Sequence, residues 1–332
     1  MAKPGTPISL PTSPLGDFIE PLNASVTEQW EFDGVSDGGM HSFIFGFYHD
    51  PGLSLMGFGN LQVSAELTYA NGTRWGRVDY ASGSTITTCP DGTRGMIGVD
   101  TPDLKGNIIM TSRELPRYAD ARIWPLDEAS TEIAPYFHWE ERILVGDAGV
   151  ALSVNGEMFS WEGLGGHNCI WAPFNWYTCL KLMDLVRLRA GPYALSYWTT
   201  SSRIVEGKKS TSILLMKDGE KVFASTQGEE GDEDYVLMTK TYGGKVTGTL
   251  RDKMTGFELK LVSPARNKHW AFVVEHKNII FEYLLGKGGG GSGFCGASSG
   301  GPVGLEQFRG VALTEALNFP DSSPLLRRQY AE

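Results

Sequence analysis

Two carboxylates set two residues apart are the first candidates for chemistry. Glu31 and Asp33 alternate with Trp30 and Phe32 in Trp30-Glu-Phe-Asp-Gly-Val-Ser36. On a strand, both acids then project to one face and both aromatics to the other. If the acid face is internal, the charges are costly unless something polar meets them. Three roles stay open: gripping the polar head of a ligand, forming a structural pair satisfied by backbone or arginine, or protonating an alkene through one acid with a raised pKa. Glu66, in Val63-Ser-Ala-Glu-Leu67, is a single acid in a similar setting.

Other reactive constellations are missing. There is no G-x-S-x-G elbow and no H-E-x-x-H. The six histidines, His41, His49, His138, His167, His269 and His276, lack metal-ligand spacing. His138-Trp-Glu140 offers half a metal site, or more simply a strand with polar residues on one face. Cys89, Cys169, Cys179 and Cys295 form no C-x-x-C pair and read as reduced, mostly buried thiols. No metal, no redox cofactor and no nucleophile is expected. What remains is aromatic mass. Nine tryptophans (Trp30, Trp75, Trp124, Trp139, Trp161, Trp171, Trp176, Trp198 and Trp270) are enough for a core and for part of an apolar pocket.

The elements that must position these residues read as β throughout. Asn71-Gly72, Asp91-Gly92, Asn155-Gly156, Asp218-Gly219 and Gly243-Gly244 carry the positive-φ chemistry of tight hairpins. Alternating runs flank them, such as Val150–Val154 with Glu157–Trp161 and Ser212–Met216 with Lys221–Ala224. Ser42–Tyr48 reads as another strand. Two further hairpins are expected, Lys245–Arg251 with Gly256–Val262 and Trp270–Glu275 with Ile279–Tyr283. Helices longer than about two turns and βαβ units are absent, which removes the setting for a dinucleotide fingerprint. Many short strands imply a sandwich or barrel, and no repeat period points to a propeller. A boundary is expected near Gly191-Pro192, giving an N-terminal β-sandwich over residues 1–190 and a β-barrel over 191–332. The acidic run 228–234 reads as a solvated loop. The glycine tract 286–293 reads as a flexible loop, since it lacks the G-K-[S/T] ending of a phosphate cradle.

Bulk properties narrow the partners. The 332 residues carry 29 Lys and Arg against 39 Asp and Glu, a net charge of −10. Such an acidic chain repels phosphate backbones, so nucleic acid is not expected. No apolar run reaches the ~20 residues of a membrane span. Met1–Leu15 has no hydrophobic segment of a secretory signal, so a cytoplasmic setting is expected and the sequons at Asn23 and Asn71 would stay idle.

Three runs carry a resemblance. They are Trp30–Ser36; Gly163-Leu-Gly-Gly-His-Asn-Cys-Ile-Trp171 followed by Gly191-Pro-Tyr-Ala-Leu-Ser-Tyr-Trp198; and Phe281-Glu-Tyr-Leu-Leu-Gly286 with the glycine tract and Gly310-Val-Ala-Leu-Thr-Glu-Ala-Leu317. Together, from about Gly16 to Pro320, the chain resembles the fungal decalin-forming Diels–Alderases of polyketide–amino acid pathways, themselves distantly similar to lipocalin-like, carotenoid 1,2-hydratase-like proteins. The resemblance implies a sandwich, a lipocalin-like barrel and a substrate cavity between them. It implies a cofactor-independent intramolecular [4+2] cycloaddition of a linear polyenoyl tetramic acid, made by a polyketide synthase–peptide synthetase, to a decalin. Some relatives instead build cytochalasan rings. A reaction that moves no proton fits the missing motifs. On this reading Glu31 and Asp33 would recognise the head, with Glu66 beside them. Arg309 would hold an enolate oxygen, or else pair on the surface. Tyr177, Trp198 and Phe294 would form an aromatic wall, and Asn168 and Trp171 would complete the lining. Asn168 with His167 reads equally as a domain-interface clasp. A non-catalytic carrier and a terpenoid hydratase or isomerase are the competing functions. A monomer or weak dimer is expected.

Overall fold

A computed structural model describes residues 27–49, 61–81, 87–88, 93–126, 128–173, 176–250, 252–286 and 289–319. Among these described residues, twenty strands fall into two antiparallel sheets. The first runs in the order β4-β3-β2-β1-β11-β10-β7-β6-β5. Its strands are β1 (Thr27–Ser36), β2 (Ser42–His49), β3 (Leu61–Thr68), β4 (Arg74–Ala81), β5 (Thr87–Thr88), β6 (Arg94–Asp100), β7 (Leu104–Ser112), β10 (Phe137–Val154) and β11 (Glu157–Ala172), with β8 (Arg117–Tyr118) and β9 (Glu132–Ala134) on β10. The second runs β15-β14-β13-β12-β20-β19-β18-β17-β16. It comprises β12 (Leu180–Ala190), β13 (Tyr193–Ser202), β14 (Lys209–Lys217), β15 (Glu220–Ser225), β16 (Tyr235–Thr241), β17 (Gly256–Ser263), β18 (Lys268–Gly286), β19 (Gly289–Pro302) and β20 (Phe308–Asn318). The one α-helix among the described residues is a single turn, α1 (Trp176–Cys179).

Turn chemistry places the hairpins. Asn155-Gly156 and Asp218-Gly219 take positive φ at both residues and join β10 to β11 and β14 to β15. The first sheet curls until its ends face each other. Phe43, Phe45, Ala65 and Leu67 from β2 and β3 share a core with Ile97, Leu104 and Ile108 from β6 and β7. The sandwich layers are therefore halves of one sheet. The second sheet nearly closes into a barrel, with a single bridge between Gln227 and Tyr235 spanning its edges. Val186, Leu215, Phe257, Phe272 and Phe294 help fill its interior.

A third apolar cluster lies between the sheets. It unites Val35, Ile44, Trp139, Leu144 and Leu164 of the first with Leu185, Trp198, Phe281, Leu313 and Leu317 of the second. Every residue of β1 is consequently buried, one face in the sandwich and the other against the barrel. The sheets change between Ala172 and Leu180, and Gly191-Pro192 is the turn of the β12–β13 hairpin. We therefore propose dividing the domains at residues 173–179, with β12 in the barrel.

Three expectations need correction. Residues 245–250 form no strand, because both edges of β17 are taken, by β16 and β18. Trp270–Glu275 and Ile279–Tyr283 are one bulged strand, not a hairpin. The segment between them, His276-Lys-Asn278, has no turn glycine, so the chain bends at bulges and continues. The glycine tract is strand β19 from residue 289 onward, paired on both sides. Run 228–234 is an exposed loop, as read from its charges. Cys89 and the Asp91-Gly92 turn lie outside the described residues.

Candidate active site between the two sheets

The acid face of β1 is internal, and it meets arginine. Cross-strand register sets Glu31 beside Asn168, and Asn168 beside Glu141. From the barrel side, Arg187 on β12 reaches into this row. One Nη donates to Asp33. The other donates to Glu141 Oε1 at 2.7 Å and Asn168 Oδ1 at 3.1 Å, while Nε donates to the Leu144 carbonyl at 2.7 Å. The guanidinium lies flat on β11 because position 166 is glycine. A Cβ there would stand 2.0 Å from Arg187 Cζ. The Gly165-Gly166 pair of the sequence thus has one member whose task is to admit Arg187.

A second arginine extends the network. Arg117 on β8 donates to Glu141 Oε2 at 2.8 Å, Ser212 Oγ at 3.2 Å and Ser196 Oγ at 3.0 Å. It also covers the Trp139 ring at 4.6 Å, and Trp139 packs on Trp198 with centroids 4.6 Å apart. Two cations are matched to two acids, Asp33 and Glu141, all fully buried. Desolvating such ions costs several kcal/mol each, and only near-complete hydrogen bonding offsets it.

Two further carboxyls have no such match. Burial pushes Glu31 up to about 7, with Asp33 adding repulsion and Arg187 opposing it. Glu31 keeps a 2.7 Å hydrogen bond from Gln29 Nε2. Glu315, on β20, is held well above the carboxylate range by burial and then by Glu31 and Asp33. Glu315 pairs in register with Gly293, so no neighbouring side chain on that strand shields it.

Several buried polar atoms here lack a hydrogen-bond partner among the described residues. Asp33 Oδ1 and Glu315 Oε1 are acceptors, and Trp198 Nε1 is a donor. Asn168 Nδ2 is turned toward Glu31 without a well-formed bond. Unmet buried groups cost about 1–3 kcal/mol apiece, so these four, contributed by both sheets, are open hydrogen-bonding positions of the interface.

An apolar wall adjoins this polar floor. On β18, Phe281 and Tyr283 stack at 5.1 Å, nearly parallel. They lie over Gly293 and Gly291 of β19, where a Cβ would meet their rings at 2.3 and 2.6 Å. The glycines of the tract make room for aromatics. Across the interface Tyr48 stands on β2 near Glu31, Glu66 and Glu315, its phenol raised first by burial. Its side chain is half-buried. Glu66, half-buried and pushed to about 6 by burial, lays its carboxyl over Gly76.

The sequence-derived candidates are distributed unevenly. Glu31, Asp33, Asn168 and Trp198 meet at the interface, and Glu66 lies at its margin. Phe294 points into the barrel instead, stacked on His276 at 3.9 Å. Trp171 turns the other way on β11 and stacks on His138. Arg309 is exposed at the start of β20, away from the cluster. The Tyr177 side chain lies outside the described residues. His167 is sandwich core, stacked on Phe32 at 3.9 Å. Among the described residues, no three His, Cys, Asp or Glu side chains are placed to hold a metal ion, and no helix is long and apolar enough to cross a membrane.

Sequence reasoning missed Arg187, Arg117, Glu141, Glu315, Phe281 and Tyr283. Arg187 carried a usable signal. Met183, Leu185, Val186 and Leu188 make both faces of β12 apolar, so a charge among them must be buried and paired. Glu141 sits likewise between Trp139 and Ile143.

Known proteins are similar to this chain. The Diels-Alderase-like family model matches residues 1–97 and 94–320. The chain is 47% identical to the Diels-Alderase phmD of Phaeosphaeria nodorum over the full length of both. It is 47% identical to the Diels-Alderase ffsF of Aspergillus flavipes, covering 100% of this chain and 87% of the other. Among solved structures, CghA with Sch210972 superposes with a TM-score of 0.77 at 19% identity, over 96% of each chain. Kievitone hydratase from Nectria haematococca superposes with a TM-score of 0.58 at 11% identity, over 95% and 98%.

Proposed function

We propose, for a chain that belongs to the Diels-Alderase-like family, an intramolecular [4+2] cycloaddition performed between the two sheets. The substrate is a linear polyene carrying an amino-acid-derived ring lactam, a tetramic acid or a related head, and the product is a fused ring system of decalin type. A polyketide synthase–peptide synthetase would supply such a chain. The observation that carries this reading is the convergence of unmet acceptors and donors, Asp33 Oδ1 and Glu315 Oε1 with Trp198 Nε1 and Asn168 Nδ2, next to an aromatic wall. A lactam offers an N–H and a carbonyl side by side, which answers both kinds.

The residues divide the work. Phe281, Tyr283 and Trp198 hold the polyene folded, meeting a cost of roughly 0.5–1.5 kcal/mol for each rotor frozen. A donor from Trp198 or Asn168 to the carbonyl conjugated with the dienophile withdraws electron density and stabilises charge developing in the transition state. At about 1.4 kcal/mol per factor of ten, three rotors and one such bond amount to a rise on the order of a thousandfold. Arg187 and Arg117 touch no substrate in this scheme. They position Asp33, Asn168 and the sheets themselves. The test is incubation with a synthetic polyenoyl lactam and chromatographic resolution of the diastereomers. One dominant isomer, formed faster than in buffer, supports the proposal. An isomer ratio and rate equal to the protein-free control across several polyenes would refute it.

A further inference from the structure

Successive residues of a strand face opposite ways, so the barrel wall has a second face, turned away from the first sheet. On β12, Leu185 and Arg187 meet the first sheet, and Asp184, Val186 and Leu188 point into the barrel. On β13, Ser196 and Trp198 meet the first sheet, and Leu195, Tyr197 and Thr199 point inward. On β14 the inward residues are Thr211, Ile213 and Leu215. Each inward row is apolar at one end and polar at the other. Val186 gives way to Asp184, Leu195 to Thr199, Ile213 to Thr211, and on β16 Val236 to Lys240. The polar ends coincide, because register sets Asp184 beside Thr199 and Thr199 beside Thr211. A cavity of about 640 Å³ opens over this row, with Ser201, Lys208, Lys209 and Glu229 also in its lining. That volume falls in the ~300–1,000 Å³ range of small-molecule sites.

The lining offers hydroxyls and balanced charge. Asp184 is buried and pushed up to about 6 by burial, Lys240 opposing. Its Oδ1 lies 3.2 Å from Lys240 Nζ without forming a well-aligned hydrogen bond, and Lys240 donates instead to Asp252 at 3.0 Å. Thr199 Oγ1 donates to the Ser210 carbonyl at 3.0 Å and stands 3.2 Å from Thr211 Oγ1. The Tyr197 phenol reaches the same two hydroxyls. Three acids, Asp184, Asp252 and Glu229, stand against three cations, Lys240, Lys208 and Lys209. A cationic ligand would compete with Lys240 for Asp184, and an anionic one would meet Asp184 at the floor, each leaving a desolvated charge uncompensated. An apolar ligand would strip water from Asp184 and the hydroxyls without replacing it. A ligand hydroxyl answers both needs. It donates to Asp184 Oδ1 and accepts from a lysine at the rim.

We propose that the open end of the barrel is a second small-molecule site, on the face of β12, β13 and β14 turned away from the first sheet, and that it takes a neutral polyhydroxy compound of the size of a sugar or cyclitol. This site is independent of the cycloaddition and shares none of its side chains.

Methionine methyl resonances locate a ligand directly. Met238 lines the cavity, whereas Met183 and Met216 lie in the cluster between the sheets. The protein labelled with 13C at methionine methyls is titrated with glucose, myo-inositol and trehalose. Cyclohexanol, cyclohexylammonium and cyclohexanecarboxylate serve as apolar, cationic and anionic matches to the six-membered ring. At least one polyol should move the Met238 methyl saturably, leave Met183 and Met216 in place, and bind at least about tenfold more tightly than any of the three matches, the worth of one hydrogen bond to a charged group. Asp184→Asn keeps the shape and should weaken that polyol by about tenfold, with circular dichroism confirming the fold. Ser201→Trp plugs the cavity from a half-buried position and should abolish the Met238 shift, which keeps the test decisive if Asp184→Asn does not fold. Failure of all three polyols to bind overturns the proposal, as does equal or tighter binding of a charged or apolar match. Shifts at Met183 and Met216 in place of Met238 would put the ligand between the sheets and overturn it too, and so would an affinity unchanged in Ser201→Trp.

Discussion

The seat of Arg187 on Gly166 can be tested with one methyl group. In Gly166→Ala the new Cβ would lie 2.0 Å from Cζ and 2.2 Å from Nε and Nη1 of Arg187. Position 166 has ordinary strand geometry, since it is not among the glycines with positive φ, so alanine itself brings no backbone strain. The guanidinium must lift away from β11 and lose hydrogen bonds to Asp33, Glu141 or Asn168. Overpacking costs typically 1–3 kcal/mol, and each charged hydrogen bond about 1.5–3 kcal/mol. We expect a loss of about 3 kcal/mol. Arg187→Ala alone strands buried carboxyls and should cost about 3–5 kcal/mol. In that background the clash is gone, and Gly166→Ala should cost under ~0.5 kcal/mol. The coupling in the double-mutant cycle is then about 2–3 kcal/mol. Urea unfolding followed by both tryptophan emission and far-UV dichroism measures it, coincident curves licensing a two-state fit. If Gly166→Ala costs the same in both backgrounds, Arg187 is not what the glycine accommodates.

Other perturbations test the remaining parts of the site. Glu31 titrates at about 7 when folded against an ordinary 4.5, so its contribution to stability is fully present below about pH 4.5, falls as pH rises to about 7 and is flat above. Glu31→Gln should flatten the decline measured by thermal unfolding across that window, and an unchanged slope would count against a buried, proton-retaining Glu31. Trp198→Ala removes a fully buried ring packed on Trp139 and should cost about 3–5 kcal/mol, read by urea midpoint. Gly293→Val drives a side chain into Phe281; product diastereomer ratio should broaden while the far-UV spectrum holds. Arg309→Ala should leave turnover within twofold, because that side chain is exposed and outside the cluster.

The period-two alternation of β1 was enough to put Glu31 and Asp33 on a shared face, and the Asn-Gly and Asp-Gly turns were enough to place hairpins. These signals are local, and backbone geometry alone enforces them. What failed was non-local. Phe294 and Trp198 look alike as aromatics in strands, yet parity sends Phe294 into the barrel and Trp198 to the interface. Nothing short of knowing which face of each strand meets the other sheet decides between them. The glycine tract was misread for the same reason. Glycines suggest a loop, but here they are the space left for Phe281 and Tyr283, whose rings come from the neighbouring strand. Arg309 offers a cation beside the Gly310–Leu317 run with surface pairing equally open, while Arg187, the cation that matters, is recognisable only as a charge in a strand with two apolar faces.

The location of the ion network explains why a reaction without proton transfer would sit on so many titratable groups. Asp33 and Asn168 belong to one sheet, Arg187 and Glu315 to the other. A purely apolar interface would tolerate small slides, since burial is non-directional. Charge-assisted hydrogen bonds at 2.7 Å do not, because they weaken steeply as donor and acceptor move out of line. The arginines therefore fix the register of the two sheets, and with it the distance from Asn168 on one side to Trp198, Phe281 and Tyr283 on the other. For a cycloaddition governed by how a chain is folded, that fixed separation is the selective element. Network variants should accordingly loosen product stereochemistry before they abolish turnover.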